Sequence, residues 1–288
     1  MLIAIDIGNT NIKLGLFQGD TLIKHSIPLG KSQCLGETIG GFIRWHIDLE
    51  ADTWIPAFAG MTEKKQGMTE GNPFTPDLSF PRKRESSNSG IEGVIVSSVV
   101  PALTGQICSI AGKYSATQPH IVTYLSSTGL SFSVPHPERL GVDRITAAAW
   151  AYHYFNAPAA VIDFGTATTI SIVGQSGVFI GGAIMPGLTT MSRALNTQTA
   201  ALPHVELVTP SGALGADTRQ AIISGIVYGT AGAVARIIYE IEREIGYNLK
   251  IAITGGNMAV IAPCLERVDV AEQDLLLLAL KIIHERMR

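Results

Sequence analysis

Near its start the chain reads Asp6-Ile7-Gly8-Asn9-Thr10-Asn11-Ile12-Lys13. A carboxylate at a strand end can hold a hydrated Mg2+ through its oxygens. Gly8 lets the backbone approach a phosphate. Backbone N–H groups, the Asn9 amide and the Thr10 hydroxyl supply neutral donors, and Lys13 brings a positive charge to a transferred group. The same residues are also ordinary turn formers, so a single loop of this kind fits a plain hairpin. The loop is written again as Asp163-Phe164-Gly165-Thr166-Ala167-Thr168, 157 positions later. Turns alone need not repeat, so the pair predicts a phosphate clamp. No G-x-x-x-x-G-K-[ST] run occurs, and no G-x-G-x-x-G opens a helix after a strand. A P-loop NTPase is thereby set aside and a dinucleotide site disfavoured.

A second candidate is Gly141-Val142-Asp143-Arg144, ahead of an alanine-rich stretch. Asp143 fits a helix N-cap. It equally fits a general base that takes the proton of an attacking hydroxyl, with Arg144 holding an acidic substrate through paired hydrogen bonds. Asp217-Thr218 has the same two readings, a helix start or a hydroxyl on the substrate. Gly255-Gly256-Asn257 suits a tight turn where a flat ring comes close to the backbone. The seven histidines show no metal-binding spacing, and Ser97-Ser98 lacks the G-x-S-x-G elbow of a serine hydrolase.

These residues need strands to carry them. Leu2 to Ile5, Ile12 to Phe17 and Leu22 to Ile27 read as an opening meander, with the first Asp loop at its first bend. Residues 160–162, 169–173 and 178–184 repeat that pattern around the second loop, and Ile5-Asp6-Ile7-Gly8 superposes on Ile162-Asp163-Phe164-Gly165. Further along, Gly93 to Val100 reads as a buried strand stopped by Pro101, and strands are also expected near 120–125 and 249–254. Helices are expected near 103–114, 143–155, 217–244 (one or two) and 271–284. Strands alternating with helices make the chain α/β. The repeat divides it into two related halves, about 1–150 and 151–288, with a cleft between them and one D-x-G loop on each wall.

Length and charge narrow the classes. At roughly 150 residues per domain, 288 residues suit two domains. Hydrophobic residues at 46% and charged ones at 16% exclude a disordered chain. A net charge of −3 gives no general attraction to nucleic acid or anionic lipid. The apolar runs, such as Leu275 to Leu280, are far shorter than the roughly 20 residues of a membrane span. Three scattered cysteines and no visible signal segment suit a reducing cytoplasm. Between Asp52 and Asn88 the composition shifts to scattered proline and glycine, and Gly60-Met61-Thr62-Glu63 recurs as Gly67-Met68-Thr69-Glu70. No period survives there, so this stretch is read as an insertion that the fold tolerates, with Arg82-Lys83-Arg84 on a solvated loop.

Taken in order, the D-x-G-N-T-x-x-K loop, Ser97 to Pro101, Gly141 to Arg144, Asp163 to Thr168, Gly182 to Gly187 and Thr254 to Asn257 resemble the type III pantothenate kinases. That family belongs to the acetate/sugar kinase, Hsp70 and actin superfamily. The resemblance implies two duplicated ribonuclease H-like (actin-like ATPase) domains with a nucleotide cleft between them. It implies ATP-dependent phosphorylation of pantothenate to 4′-phosphopantothenate, the first step of coenzyme A synthesis, with Mg2+. By matching positions it implies ATP phosphates on Asp6, Ile7, Gly8, Asn9, Thr10, Asn11, Ile12 and Lys13, with Thr166 on ATP from the other side. It also implies a monovalent cation, K+ or NH4+, at Asp163, and pantothenate on Gly141, Val142, Asp143, Arg144 and Thr218, with Asp143 as proton acceptor. A cytoplasmic homodimer without nucleic-acid or membrane partners is typical. One departure stands out: the family often has a tyrosine seven residues before Gly141, and this chain has Val134. Two competing readings are a non-catalytic transcription accessory factor, supported only by Arg82 to Arg84, and an ATPase or polyphosphate hydrolase sharing the two-loop cleft.

Overall fold

The computed structural model describes residues 1–30, 35–47 and 90–288. The expected insertion at about 52–88, its basic run Arg82 to Arg84, and Cys34 lie outside the described residues. The first half runs β1 (Leu2–Ile7), β2 (Asn11–Gln18), β3 (Thr21–Pro28), α1 (Leu35–Ile47), β4 (Gly93–Ser98), α2 (Pro101–Ala111) and β5 (His120–Ile121). Short β6 (Ser131–Phe132) and helix α3 (Val142–Phe155) lead into β7 (Ala159–Phe164), β8 (Ala167–Val173) and β9 (Val178–Pro186). Then follow α4 (Leu188–Gln198), α5 (Thr218–Ile245), β10 (Lys250–Thr254), α6 (Met258–Ile261), β11 (Val270–Ala271) and α7 (Leu275–Arg286).

The two sheets have one topology. The first is ordered β3-β2-β1-β4-β5 and the second β11-β10-β7-β8-β9-β6. In each, an antiparallel meander is followed by two strands parallel to its first: β1, β4 and β5 in one, β7, β10 and β11 in the other. β6 is the one addition among the described residues. The duplication read from the sequence is therefore structural.

Side-chain alternation along the central strands sets the layers. On β1, Ile3, Ile5 and Ile7 pack with α1 and α2 through Ile39, Ile43 and Ile107. Leu2 and Ala4 face the opposite way, toward Ala149 of α3 and Leu277 and Leu280 of α7. On β7, Ile162 and Phe164 pack outward beneath α5, on Ile226, Val234 and Ile238. Ala159 and Val161 face inward, toward Ala147 and Trp150 of α3 and Leu275 of α7. Helices α3 and α7 thus form a shared middle layer between the sheets. Cutting one of the fully buried isoleucines back to alanine costs about 2–5 kcal/mol. By the same alternation Asp6 continues the Leu2/Ala4 row and Asp163 the Ala159/Val161 row. Both aspartates are thereby set on the faces that border the middle layer.

The expected strand at 120–125 shrinks to two residues, because Ser126 turns the chain by accepting from Thr123 N and bonding His120. The expected final helix starts at Leu275 rather than 271, since Val270–Ala271 pairs with β10. Residues 218–245 form one helix. It is the one described helix long and apolar enough to span a bilayer by length and composition, yet its Ile222, Ile226, Val227 and Val234 lie in the core beneath it. Helices α1 and α4 have no counterpart in the sequence reading. Gly40-Gly41 interrupts the first, and the second carries threonines at three of its eleven positions, all weak helix formers.

Candidate active site

The first loop is closed by Gly8 N donating to Asn11 O at 3.0 Å, the second by Gly165 N donating to Ala167 O at 3.1 Å. They meet directly: the hydroxyls of Thr10 and Thr166 lie 2.6 Å apart and share a hydrogen bond, although 156 positions separate them. The two predicted walls therefore face each other. Across the first hairpin Asp6 stands opposite Lys13, whereas across the second Asp163 stands opposite Thr169. Only one of the repeated loops retains a lysine, and its charge acts on both aspartates.

Asp6 is buried, and burial pushes its carboxyl up to about 7, against the pull of Lys13 and the neighbouring Ser97 hydroxyl and with further upward pressure from Asp143 and Asp163. Asp163, half-buried, is raised to about 6 by desolvation and by Asp143, again opposed by Lys13. Asp143 is raised by burial, opposed by the Arg144 backbone and charge. Asp6 and Asp163 thus share one ammonium group, Asp143 presses on both with its own charge, and each of the three carboxyls is raised chiefly by loss of hydration. Ser97 forms no well-aligned hydrogen bond and is fully buried.

Of the two readings of Asp143, the cap is not realised. Helix α3 begins at Val142 with Gly141 at its cap position and no side-chain cap bond. Asp143 sits inside the first turn, where one carboxylate oxygen accepts from Arg144 N at 2.8 Å. Gly141 makes room for it, since a Cβ there would lie 2.5 Å from that oxygen. Asp217, by contrast, is a true cap, accepting from Gln220 N at 2.8 Å. Thr218 is exposed at the start of α5 and, among the described residues, hydrogen-bonds to none of the carboxylate group. Arg144 reaches over to the second sheet, with Nε on Ser171 Oγ at 3.1 Å and Nη2 on Ile170 O at 3.2 Å.

Several residues support the loops in ways the sequence reading did not assign, and Thr190 among them was not singled out at all. Gly255 has φ +101°, and a Cβ there would collide with the Asp163 carboxylate and the Phe164 backbone. Gly255 thereby lets the turn after β10 pack directly against the Asp163 loop. Asn257 donates to Phe164 O through its backbone N at 3.0 Å and its side chain at 3.2 Å. Gly187 N and Thr190 Oγ1 both donate to Thr166 O. The glycines were the available signal. Val134, at the position of the expected tyrosine, joins the apolar group around Ala148, Val173 and Phe179.

Two sheets of one topology, with a D-x-G loop at the end of each central strand, define the duplicated actin-like ATPase class. A sequence profile of the type III pantothenate kinases matches residues 62–240. The type III pantothenate kinase of Brevibacillus brevis is 35% identical over 287 residues, 99% of each chain. That of Thermomicrobium roseum is 34% identical over 291 residues, 100% of this chain and 98% of the relative. Among solved structures, a Baf family protein from Campylobacter jejuni shares the fold at TM-score 0.55 and 16% identity, covering 99% of this chain and 98% of that one. The chain belongs to the type III pantothenate kinase family. Membership in a kinase family brings ATP and a divalent metal. The donor set fits a hard cation, with carboxylate and hydroxyl oxygens and no thiolate or imidazole. Among the described residues no three metal-ligating side chains converge into a cage.

Proposed function

We propose that this chain transfers the γ-phosphoryl group of ATP to the primary hydroxyl of pantothenate, giving 4′-phosphopantothenate and ADP at the entry to coenzyme A synthesis. The observation that carries the reading is the pairing of Asp6 and Asp163 with the one Lys13, with Asp143 near enough for its charge to act on both, beneath two loops joined by Thr10 and Thr166. The loop from Asp6 to Lys13 holds the phosphates, with Thr166 contacting them from the other wall. Asp6 is the carboxylate that would hold the water shell of a divalent metal, which would offset the charge of the phosphates. Asp163 takes a monovalent cation, K+ or NH4+.

Pantothenate lies against Gly141, Val142, Asp143 and Arg144. Asp143 accepts the hydroxyl proton as the oxygen attacks, and burial, by raising its carboxyl, strengthens it as a base. Arg144 pairs with the substrate carboxylate, and Thr218 supplies a further contact. The protein works in the cytoplasm as a homodimer of two-domain subunits, divided at about residue 150.

The test is a coupled assay with purified protein, ATP, Mg2+, K+ and pantothenate. ADP formation that depends on pantothenate supports the proposal, whereas ATP consumption indifferent to pantothenate overturns it in favour of a hydrolase. Asp143→Asn is expected to lower kcat about 10²–10⁴-fold with an unchanged melting curve, the usual range for losing a general base.

A further inference from the structure

The strand β8 reads Ala-Thr-Thr-Ile-Ser-Ile-Val, and Ser171 is buried at its centre. A buried hydroxyl in an apolar strand needs a partner, and the partner here is Arg144, whose Nε donates to it at 3.1 Å. The remainder of the guanidinium is held as closely. Nη2 donates to Ile170 O at 3.2 Å, and the Phe179 ring lies 5.6 Å from the guanidinium carbon, within cation–π range. Opposite Ser171 in the ladder stands Gly182, at φ +146°, where a Cβ would come within 3.0 Å of Nη2 and collide with the Ile170 carbonyl. Among the described residues, Nη1 is left without a hydrogen bond.

We infer that Ser171, with Ile170 O, Phe179 and Gly182, forms a socket that aims the free Nη1 edge of Arg144 at the substrate carboxylate, making Ser171 the positioning residue for acid selectivity. The inference rests on the reading of Arg144 as the carboxylate partner. A long arginine left loose loses side-chain entropy on each binding event, and one fixed in advance does not. Because the group acts on the carboxylate, remote from the transferred phosphoryl, its loss weakens binding of the acid while leaving the chemical step in place.

The experiment measures KM and kcat of the full-length enzyme for pantothenate and for pantothenyl alcohol, the neutral analogue with a hydroxymethyl group in place of the carboxylate. In S171A we expect KM for pantothenate to rise about tenfold, as for a lost hydrogen bond to a charged group, with kcat within about twofold. KM for the alcohol is expected to stay near wild type, so the acid preference falls. S171T is expected to restore both, and S171A added to R144A to change neither further. If S171A fails to fold by thermal melting, S171C and S171T are read against each other by the same ratio. Should R144A lower the acid preference while S171A leaves it at the wild-type value, the socket is overturned. Should R144A itself leave that preference intact, the carboxylate reading of Arg144 falls first and the socket with it.

Discussion

Asp6 concentrates the conflict between stability and function at one side chain. Its carboxyl is raised to about 7 in the fold, against an ordinary value near 4 in an unfolded chain. The native state therefore binds the proton more tightly, and between about pH 4 and 7 the unfolded state carries fewer protons. Stability falls as pH rises through that window and levels off above it. Asp6→Asn removes the buried charge, so we expect a melting temperature above wild type at pH 8, by the equivalent of roughly 1–3 kcal/mol, and little difference near pH 4.5. The same variant is expected to lose most of its kinase activity, since the carboxylate proposed to hold the metal's water shell is gone. On the roles proposed for them, Asp6 and Asp163, the latter raised to about 6, must both ionise in wild type to receive a cation. KM for MgATP is expected to climb as pH is lowered from 8 to 5.5, with the steep part between 7 and 6. A flat profile would falsify the role given to both carboxylates.

At the scale of elements, the turn after β10 shows how a loop far along the chain governs a group on β7. The left-handed conformation at Gly255 is one that glycine alone adopts at little cost, and the Asp163 carboxylate occupies the space a side chain needs. Gly255→Ala is expected to lower stability by about 1–3 kcal/mol and, on the proposal that Asp163 holds a monovalent cation, to weaken K+ dependence more than it weakens pantothenate binding, as read by melting and by KM titrations. The strands of the site were legible because a buried central strand reads as an unbroken apolar run, as in residues 2–5 and 160–162. Helix α1 was not legible, since Leu35, Ile39 and Ile43 make a sound apolar stripe but two glycines sit between them. There tertiary burial overrides propensity.

For the whole molecule, the middle layer of α3 and α7 matters most. The last helix of the chain returns to pack on the first strand, and Lys24 of β3 pairs with Asp274 at the entrance to α7. Both halves are thereby tied together on the side away from the outer helices, while the Thr10–Thr166 bond closes them at the loops. By its composition the stretch 52–88 is read as an insertion, and the motifs on both sides of it are intact. Replacing that stretch with a glycine/serine linker of about eight residues is expected to leave KM for both substrates within about twofold, because lengthening or shortening a loop changes closure entropy only slowly. A loss of ATP binding in that variant, measured by titration calorimetry, would place the stretch in the site.

The order of residues alone determined the two related meanders, the pair of D-x-G bends at their first turns, and the acidic residue at the head of an alanine-rich segment. Those features are local, written in period-2 runs and turn chemistry within a few positions. What the segment at 141–144 does was open until the chain was folded. Asp143 became a member of the carboxylate group, and not a cap, because α3 packs between two sheets whose strands come from opposite ends of the chain. The single lysine shared by two aspartates, the raised carboxyls and the seat of Arg144 on β8 likewise come from contacts spanning 27 to 157 positions. Burial and proximity of charge belong to no single segment, so only the tertiary structure decides them.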